Sequence, residues 1–170
     1  EVPGLTTILC GQFRKGHFRG VATVVQILFN LVQADFALFG EKDYQQLLLI
    51  KHMVSDLALP IKILGVPTFR EADGLAMSSR NMYLSETERP TAALLFNMLT
   101  DLKNKIHSGR SDYERLQNEA KDMLKRAHFV TDYIAIRDNT DLGDPVLHQP
   151  KRILAAAWLG HCRLIDNILC

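Results

Sequence analysis

The chain has 170 residues, of which 47% are hydrophobic, and 20 Lys and Arg against 19 Asp and Glu give a formal net charge of +1. Near-neutrality excludes a strong whole-molecule attraction to nucleic acid or an anionic membrane. The apolar share excludes a disordered chain and allows a real core in one or two domains.

In chain order, apolar side chains at 21, 24, 25, 28, 31 and 32 predict a well-buried helix over 19–33. The run Asp35–Phe39, ending at Gly40, predicts a buried strand. Helical spacing returns over 41–57 and breaks at Leu59-Pro60, and 61–66 (IKILGV) predicts a second buried strand. Strand, helix, strand with short links is the pattern of a parallel βαβ unit. Residues 67–84 are polar, with Pro, Asp-Gly and Ser-Ser, and read as a long loop. Ser85-x-x-Glu88 forms a capping box ahead of a helix of about 20 residues, closed by Ser108-Gly109. A further helix starts at Ser111 or Asp112 and runs to Arg126, with strand-like segments TDYIAIRD, KRILAAAW and RLIDNIL after it. The expected fold class is α/β over residues 1–66, followed over 67–170 by a smaller α+β unit, an antiparallel sheet covered by two helices, with Trp158 in its core.

The cysteines Cys10, Cys162 and Cys170 follow neither a disulfide framework nor a zinc spacing, so buried thiols in a reducing, cytoplasmic setting are expected. No residue is assigned to a metal, and no apolar run reaches bilayer length.

Three segments could carry chemistry. Gly40-Glu41-Lys42-Asp43 follows a predicted strand and opens a helix, where free backbone N–H groups and a positive dipole end suit phosphate. Lys42 would add a positive charge, Asp43 could cap the helix, and Gln46 lies a turn further on. The same residues also read as a tight turn with a solvated charge cluster. Met77-Ser78-Ser79-Arg80-Asn81 offers small hydroxyls beside a guanidinium fork, suited to polyphosphate, or else a solvated loop. Arg14-Lys15-Gly16-His17 reads equally as an anion clamp or a surface turn. The glycine-rich signatures of P-loop ATPases and dinucleotide oxidoreductases and the nucleophile elbow of α/β-hydrolases are absent from the sequence.

The segments FGEKDYQQL (39–47), GVPTFREADGLAMSSRNMYL (65–84) and GHFRGVATVV (16–25) closely resemble the pantothenate synthetase (pantoate–β-alanine ligase) family, and VPGL and RLIDN at the two ends fit as well. The resemblance implies an ATP-dependent ligation of pantoate and β-alanine through a pantoyl adenylate, with Mg²⁺ and with release of AMP and pyrophosphate. It implies a Rossmann-like nucleotidyltransferase domain, here its second half over 1–66, and a C-terminal lid domain over 67–170. By motif it implies ATP contacts at Gly40, Glu41, Lys42, Asp43, Phe69, Met77, Ser78, Ser79 and Arg80, Phe69 through its backbone. Lys42, Ser78, Ser79 and Arg80 would act in catalysis, and Gln46, Arg14 and His17 would bind substrate. Lys15 stands where the family commonly has proline.

The family's early His-x-Gly-His has no match among these residues. The chain is therefore expected to be the C-terminal part of the enzyme, inactive alone, with uncovered sheet faces that favour self-association. The expected assembly is a homodimer, with neither nucleic acid nor membrane as partner. The alternative is a non-catalytic nucleotide-binding or dimerisation module; a relative of the tRNA synthetases is disfavoured by the lack of a basic stripe.

Overall fold

The structure is a computed structural model that describes residue 2 and residues 4–170. The chain divides into two compact units, Glu1–Thr68 and Phe69–Cys170.

In the first unit, α1 (Cys10–Phe13) and α2 (His17–Val32) precede strand β1 (Phe36–Gly40), a 3-10 turn (Glu41–Asp43), α3 (Tyr44–Asp56) and β2 (Lys62–Val66). Strands β1 and β2 pair in parallel, Phe36 opposite Lys62 through Gly40 opposite Val66, with α3 as the crossover. Both helices pack on one face of this pair. Val25, Ile50 and Met53 form the centre, joined by Val21, Phe29, Phe39 and Ile63, and the Phe29 and Phe39 rings meet edge to face at 6.4 Å.

The strands are less buried than their apolar sequences predict. Phe36, Leu38, Leu64 and Val66 are exposed, Leu38 at 68%. With α2 and α3 on one face of the two strands, alternate side chains point to the face that these helices leave uncovered. Helix α2 behaves likewise: Phe18 and Val25 are buried, whereas Val24, Ile27, Leu28, Leu31 and Val32 are exposed, Leu31 at 74%.

In the second unit, the capping box forms as expected. The Ser85 N–H donates to Glu88 Oε2 at 2.8 Å, and the Glu88 N–H to Ser85 Oγ at 3.2 Å. The predicted single helix is two, α4 (Glu88–Ala92) and α5 (Leu94–His107), followed by α6 (Tyr113–Arg126). Strands β3 (Phe129–Asp138), β4 (Lys151–Leu159) and β5 (Cys162–Leu169) form an antiparallel sheet in that order. The core joins Leu95, Met98, Leu99 and Leu102 of α5 and Leu116, Ala120 and Leu124 of α6 to Ile153, Ala155 and Ala157 of β4. The apolar faces of the two helices recur at helical spacing and cover one face of the sheet.

Trp158 departs from expectation: it is 39% exposed rather than core. It stands on the opposite face of β4 from Ala157 and donates its indole N–H to Asp132 at 3.2 Å. Asp132 is the extra residue where the β3–β4 register shifts between Thr131 and Tyr133, and it also accepts from Arg163 at 2.7 Å. The bulge thus aims one carboxylate at two donors on neighbouring strands. Gly160, at φ +54° in the β4–β5 turn, takes the left-handed conformation that favours glycine.

All three cysteines are thiols. Cys162 is buried and Cys10 and Cys170 partly so; burial pushes the Cys170 thiol above its ordinary value. No helix among the described residues is long and apolar enough to cross a membrane.

Candidate functional site

In the first unit the chain leaves β1 at Gly40 in extended conformation and enters α3 through the 3-10 turn. A Cβ at Gly40 would meet no atom, so its backbone lies open at the end of the strand. Glu41 folds back over the sheet; a Cβ on Gly65 of β2 would lie 3.1 Å from its carboxylate. Lys42 and Gln46 are half-buried, and Asp43 is exposed. Asp43 takes the N-cap position of α3, but its side chain caps nothing, against expectation. Its φ of −94° and ψ of 55° are not the extended backbone from which an N-cap side chain reaches back to the first turn.

The basic turn lies between α1 and α2. Arg14 Nη1 is 3.0 Å from His17 Nε2, and since a guanidinium only donates, the imidazole nitrogen accepts. The His17 ring also meets Phe18 at 5.1 Å, and Phe18 is buried.

One residue here had no role in the sequence reading. Gln45, next to Gln46, is 4% exposed. Its Nε2 donates to the Leu5 carbonyl at 2.7 Å and the Ile8 carbonyl at 2.9 Å, and its Oε1 accepts the Cys10 N–H at 3.1 Å. This amide ties the segment leading to Arg14 and His17 onto α3, the helix that carries Gln46.

In the second unit, Phe69 to Met77 make a small hairpin. The Met77 N–H donates to the Phe69 carbonyl and the Glu71 N–H to the Leu75 carbonyl, each at 2.9 Å. The Phe69 ring is 76% exposed. Ser78 is extended, and its Oγ accepts the Arg80 N–H at 3.2 Å, starting a 3-10 turn over Ser79–Tyr83. Met77, Ser79 and Arg80 are exposed and Ser78 half-buried. Ser78, Ser79 and Arg80 thus place two hydroxyls and a guanidinium at or near the surface, donors that suit phosphate.

Beneath this loop runs a polar framework that sequence patterning could not reveal. Arg70 forks onto Asp166 of β5 at 2.6 and 3.0 Å, donates to the Gly74 carbonyl at 3.0 Å and lies 3.9 Å over the Phe96 ring. Arg89 of α4 donates to Glu71 at 2.6 Å and to Asp73 at 2.5 Å. Asn81 donates to Glu71 Oε1 at 2.7 Å and to the Ala76 carbonyl at 3.2 Å. The Asn81 amide, then Arg89, hold the Glu71 carboxyl below its ordinary value, and Arg89 does the same to Asp73. The Arg89 guanidinium is raised in turn. Among the described residues no three His, Cys, Asp or Glu side chains gather to hold a metal ion.

With this geometry in hand, comparison with known proteins places the chain. Residues 1–169 match the family model described as Pantoate-beta-alanine ligase. The chain belongs to that family. It is 52% identical over 170 residues to the pantothenate synthetase of Methylococcus capsulatus, covering 99% of this chain and 59% of that protein. It is 53% identical over 169 residues to that of Shewanella sp. (strain MR-7), covering 99% and 60%. Among solved structures, a pantothenate synthetase from Thermus thermophilus matches with a TM-score of 0.89 at 45% identity, over 99% of this chain and 62% of that one. A Francisella tularensis pantoate–β-alanine ligase, complexed with Beta-gamma ATP and Beta-alanine, matches with a TM-score of 0.75 at 32% identity, over 99% and 56%. The chain spans about three fifths of the length of the curated relatives it matches.

Proposed function

We propose that this chain supplies nucleotide- and pantoate-handling groups to an ATP-dependent ligase that joins pantoate to β-alanine through a pantoyl adenylate. The observation that carries the reading is the family match across residues 1–169. The Francisella relative's complex with Beta-gamma ATP and Beta-alanine supports the substrate class.

In the first step a pantoate carboxylate oxygen attacks the α-phosphorus of ATP. The bond from that phosphorus to the bridging oxygen breaks, and pyrophosphate leaves with the electron pair. In the second step the free amine of β-alanine attacks the acyl carbon. The carbon–nitrogen bond forms, the acyl–oxygen bond breaks, AMP departs and the amine loses a proton. Neither step needs a covalent link to the protein, so the demand on side chains is positioning and charge stabilisation.

In this reading Lys42, Ser78, Ser79 and Arg80 meet the phosphates. Gly40, Glu41, Asp43, Phe69 and Met77 complete the ATP contacts, and Gln46, Arg14 and His17 face pantoate. The outward donors of the loop at Ser78–Arg80 and the open backbone at Gly40 support these assignments. Residues 1–66 would be part of a Rossmann-like nucleotide-binding domain and 67–170 the lid. The Rossmann reading is supported by the parallel β1–α3–β2 unit, with Gly40 at the carboxyl end of β1. Mg²⁺ fits as an ion carried in on the nucleotide, since it keeps waters and phosphate oxygens and needs few protein ligands. It would neutralise phosphate charge there. A homodimer is part of the same proposal, supported by the uncovered apolar side chains of α2 and β1, and a cytoplasmic setting is proposed with it.

The test is isotopic. Pantoate whose carboxylate carries a heavy oxygen isotope should pass one labelled oxygen into AMP when the intact protein turns over with ATP and β-alanine. Unlabelled AMP would exclude the acyl adenylate.

A further inference from the structure

The four residues Met77–Arg80 are held from both ends. At the entry, the hairpin is closed by the bridge between Arg70 and Ala76 and anchored by Arg70 on Asp166 and Phe96. Its tip, Gly74, has φ +90° and lies so near the Phe96 ring that a Cβ would overlap it. At the exit, the Arg80 carbonyl accepts from Cys162 Sγ at 3.1 Å, and the Asn81 N–H donates to the Ser78 carbonyl at 3.0 Å.

One side chain joins the two ends. Glu71, on the hairpin, accepts the Asn81 amide on Oε1 at 2.7 Å and the Arg89 guanidinium on Oε2 at 2.6 Å. The second Arg89 nitrogen is taken by Asp73, whose other oxygen accepts the Leu75 N–H at 3.1 Å. Both partners of Glu71 can only donate at these atoms. The position therefore demands two acceptor oxygens, which a carboxylate has and a glutamine amide lacks.

We propose that Glu71 is a positioning residue for the Met77–Arg80 loop, clasping Asn81 at the loop's exit to Arg89 and so fixing where Ser78, Ser79 and Arg80 present their donors. Its consequence for the reaction rests on the reading of that loop as the phosphate contact. Glu71 touches no substrate in this account and acts through Asn81.

The test compares Glu71→Gln, Asn81→Ala, their double variant and Arg80→Ala in the intact protein. Hydrogen exchange at the amides of residues 78–81 is read beside steady-state kinetics for ATP and pantoate. Glu71→Gln sets one donor against another and releases one link of the clasp. Asn81→Ala releases the loop from the other side without touching Arg89, so the idea survives as a test if one variant folds poorly. Each is expected to speed exchange at 78–81 and raise the KM for ATP roughly tenfold, the scale of one charge-assisted hydrogen bond, with a smaller change in kcat. The KM for pantoate should stay as it was. The double variant should be no worse than the worse single one, because both break the same link.

Unchanged exchange at 78–81 in Glu71→Gln, or additive effects in the double variant, would overturn the positioning role. An unchanged KM for ATP in Glu71→Gln, with a raised one in Arg80→Ala, would overturn it while leaving the phosphate reading intact. An unchanged KM for ATP in Arg80→Ala would instead sink the phosphate reading, and exchange would still decide whether Glu71 holds the loop.

Discussion

Replacing Gln45 by leucine keeps the volume of a buried side chain and removes its three hydrogen bonds. The Leu5 and Ile8 carbonyls and the Cys10 N–H lose their partner together. An orphaned buried polar group costs about 1–3 kcal/mol. Only the bond to Leu5 is fully buried. Counting the other two, which are only part-buried, at about 0.5–1 kcal/mol each gives about 2–5 kcal/mol in all. The chain could escape by letting the segment open, but Leu5 and Leu9 are both buried. Exposing two such side chains costs about 3–6 kcal/mol, so neither route is cheap. Amide hydrogen exchange at Cys10, Gly11 and Gln12 reads the opening directly. The expected acceleration in Gln45→Leu is at least about thirtyfold, the low end of that range. Gln45→Glu should be worse at neutral pH, where a carboxylate faces two carbonyl oxygens. It should partly recover on acidification, when the protonated acid can donate to one of them. Exchange within about threefold of the parent protein in Gln45→Leu would mean that this amide does not hold the segment, and the link from α3 to the Arg14–His17 turn would fall.

Asp166→Ala leaves the Arg70 guanidinium, only 21% exposed in its side chain, without its carboxylate. A urea titration should show a loss of about 2–4 kcal/mol, somewhat below the cost of breaking a fully buried pair because Arg70 keeps some water. A change under about 0.5 kcal/mol would refute the anchoring role of the pair. Glu71 and Asp73 have folded values below their ordinary 4.5 and 3.8, so they bind protons more readily unfolded than folded. Their contribution is therefore whole above about pH 4.5 and is lost as pH falls through the lower folded values. The urea midpoint should be level from neutrality down to that point and decline below it, by less in Arg89→Met; a parallel decline in both proteins would contradict the assignment. Leu31→Glu and Leu38→Glu, on the uncovered apolar side chains, should lower the apparent mass of the protein in concentration-dependent sedimentation; unchanged mass would count against the dimer proposal.

Much of the fold was legible because it rests on periodicity. The strand–helix–strand order over 36–66 and the helix after Ser85 follow from local spacing without reference to any distant residue, and the Ser85–Glu88 box is local by construction. What the sequence hid depends on pairing across distance or on crowding. Trp158 looks like core because its neighbours in β4 are apolar on both faces; its partner Asp132 lies 26 residues away, where no local pattern points to it. Asp43 looked like a cap from its position, but the turn before α3 gives it the wrong backbone angles. The candidate phosphate and substrate residues were read from motifs. Gln45 and Glu71 carry no local signal: their partners lie 35–40 and 10–18 residues away, and a buried amide or paired carboxylate is indistinguishable in sequence from a solvated one.

The most direct measurement is pyrophosphate and AMP release by the intact protein, with pantoate present and absent, before and after Lys42→Ala. Release should require pantoate as well as ATP. The substitution should lower kcat/KM for ATP by at least about a hundredfold, the scale of removing one preorganised charge from a phosphoryl site. Release without pantoate, ADP in place of AMP, or near-normal turnover in Lys42→Ala would contradict the adenylating-ligase account and the place of Lys42 in it.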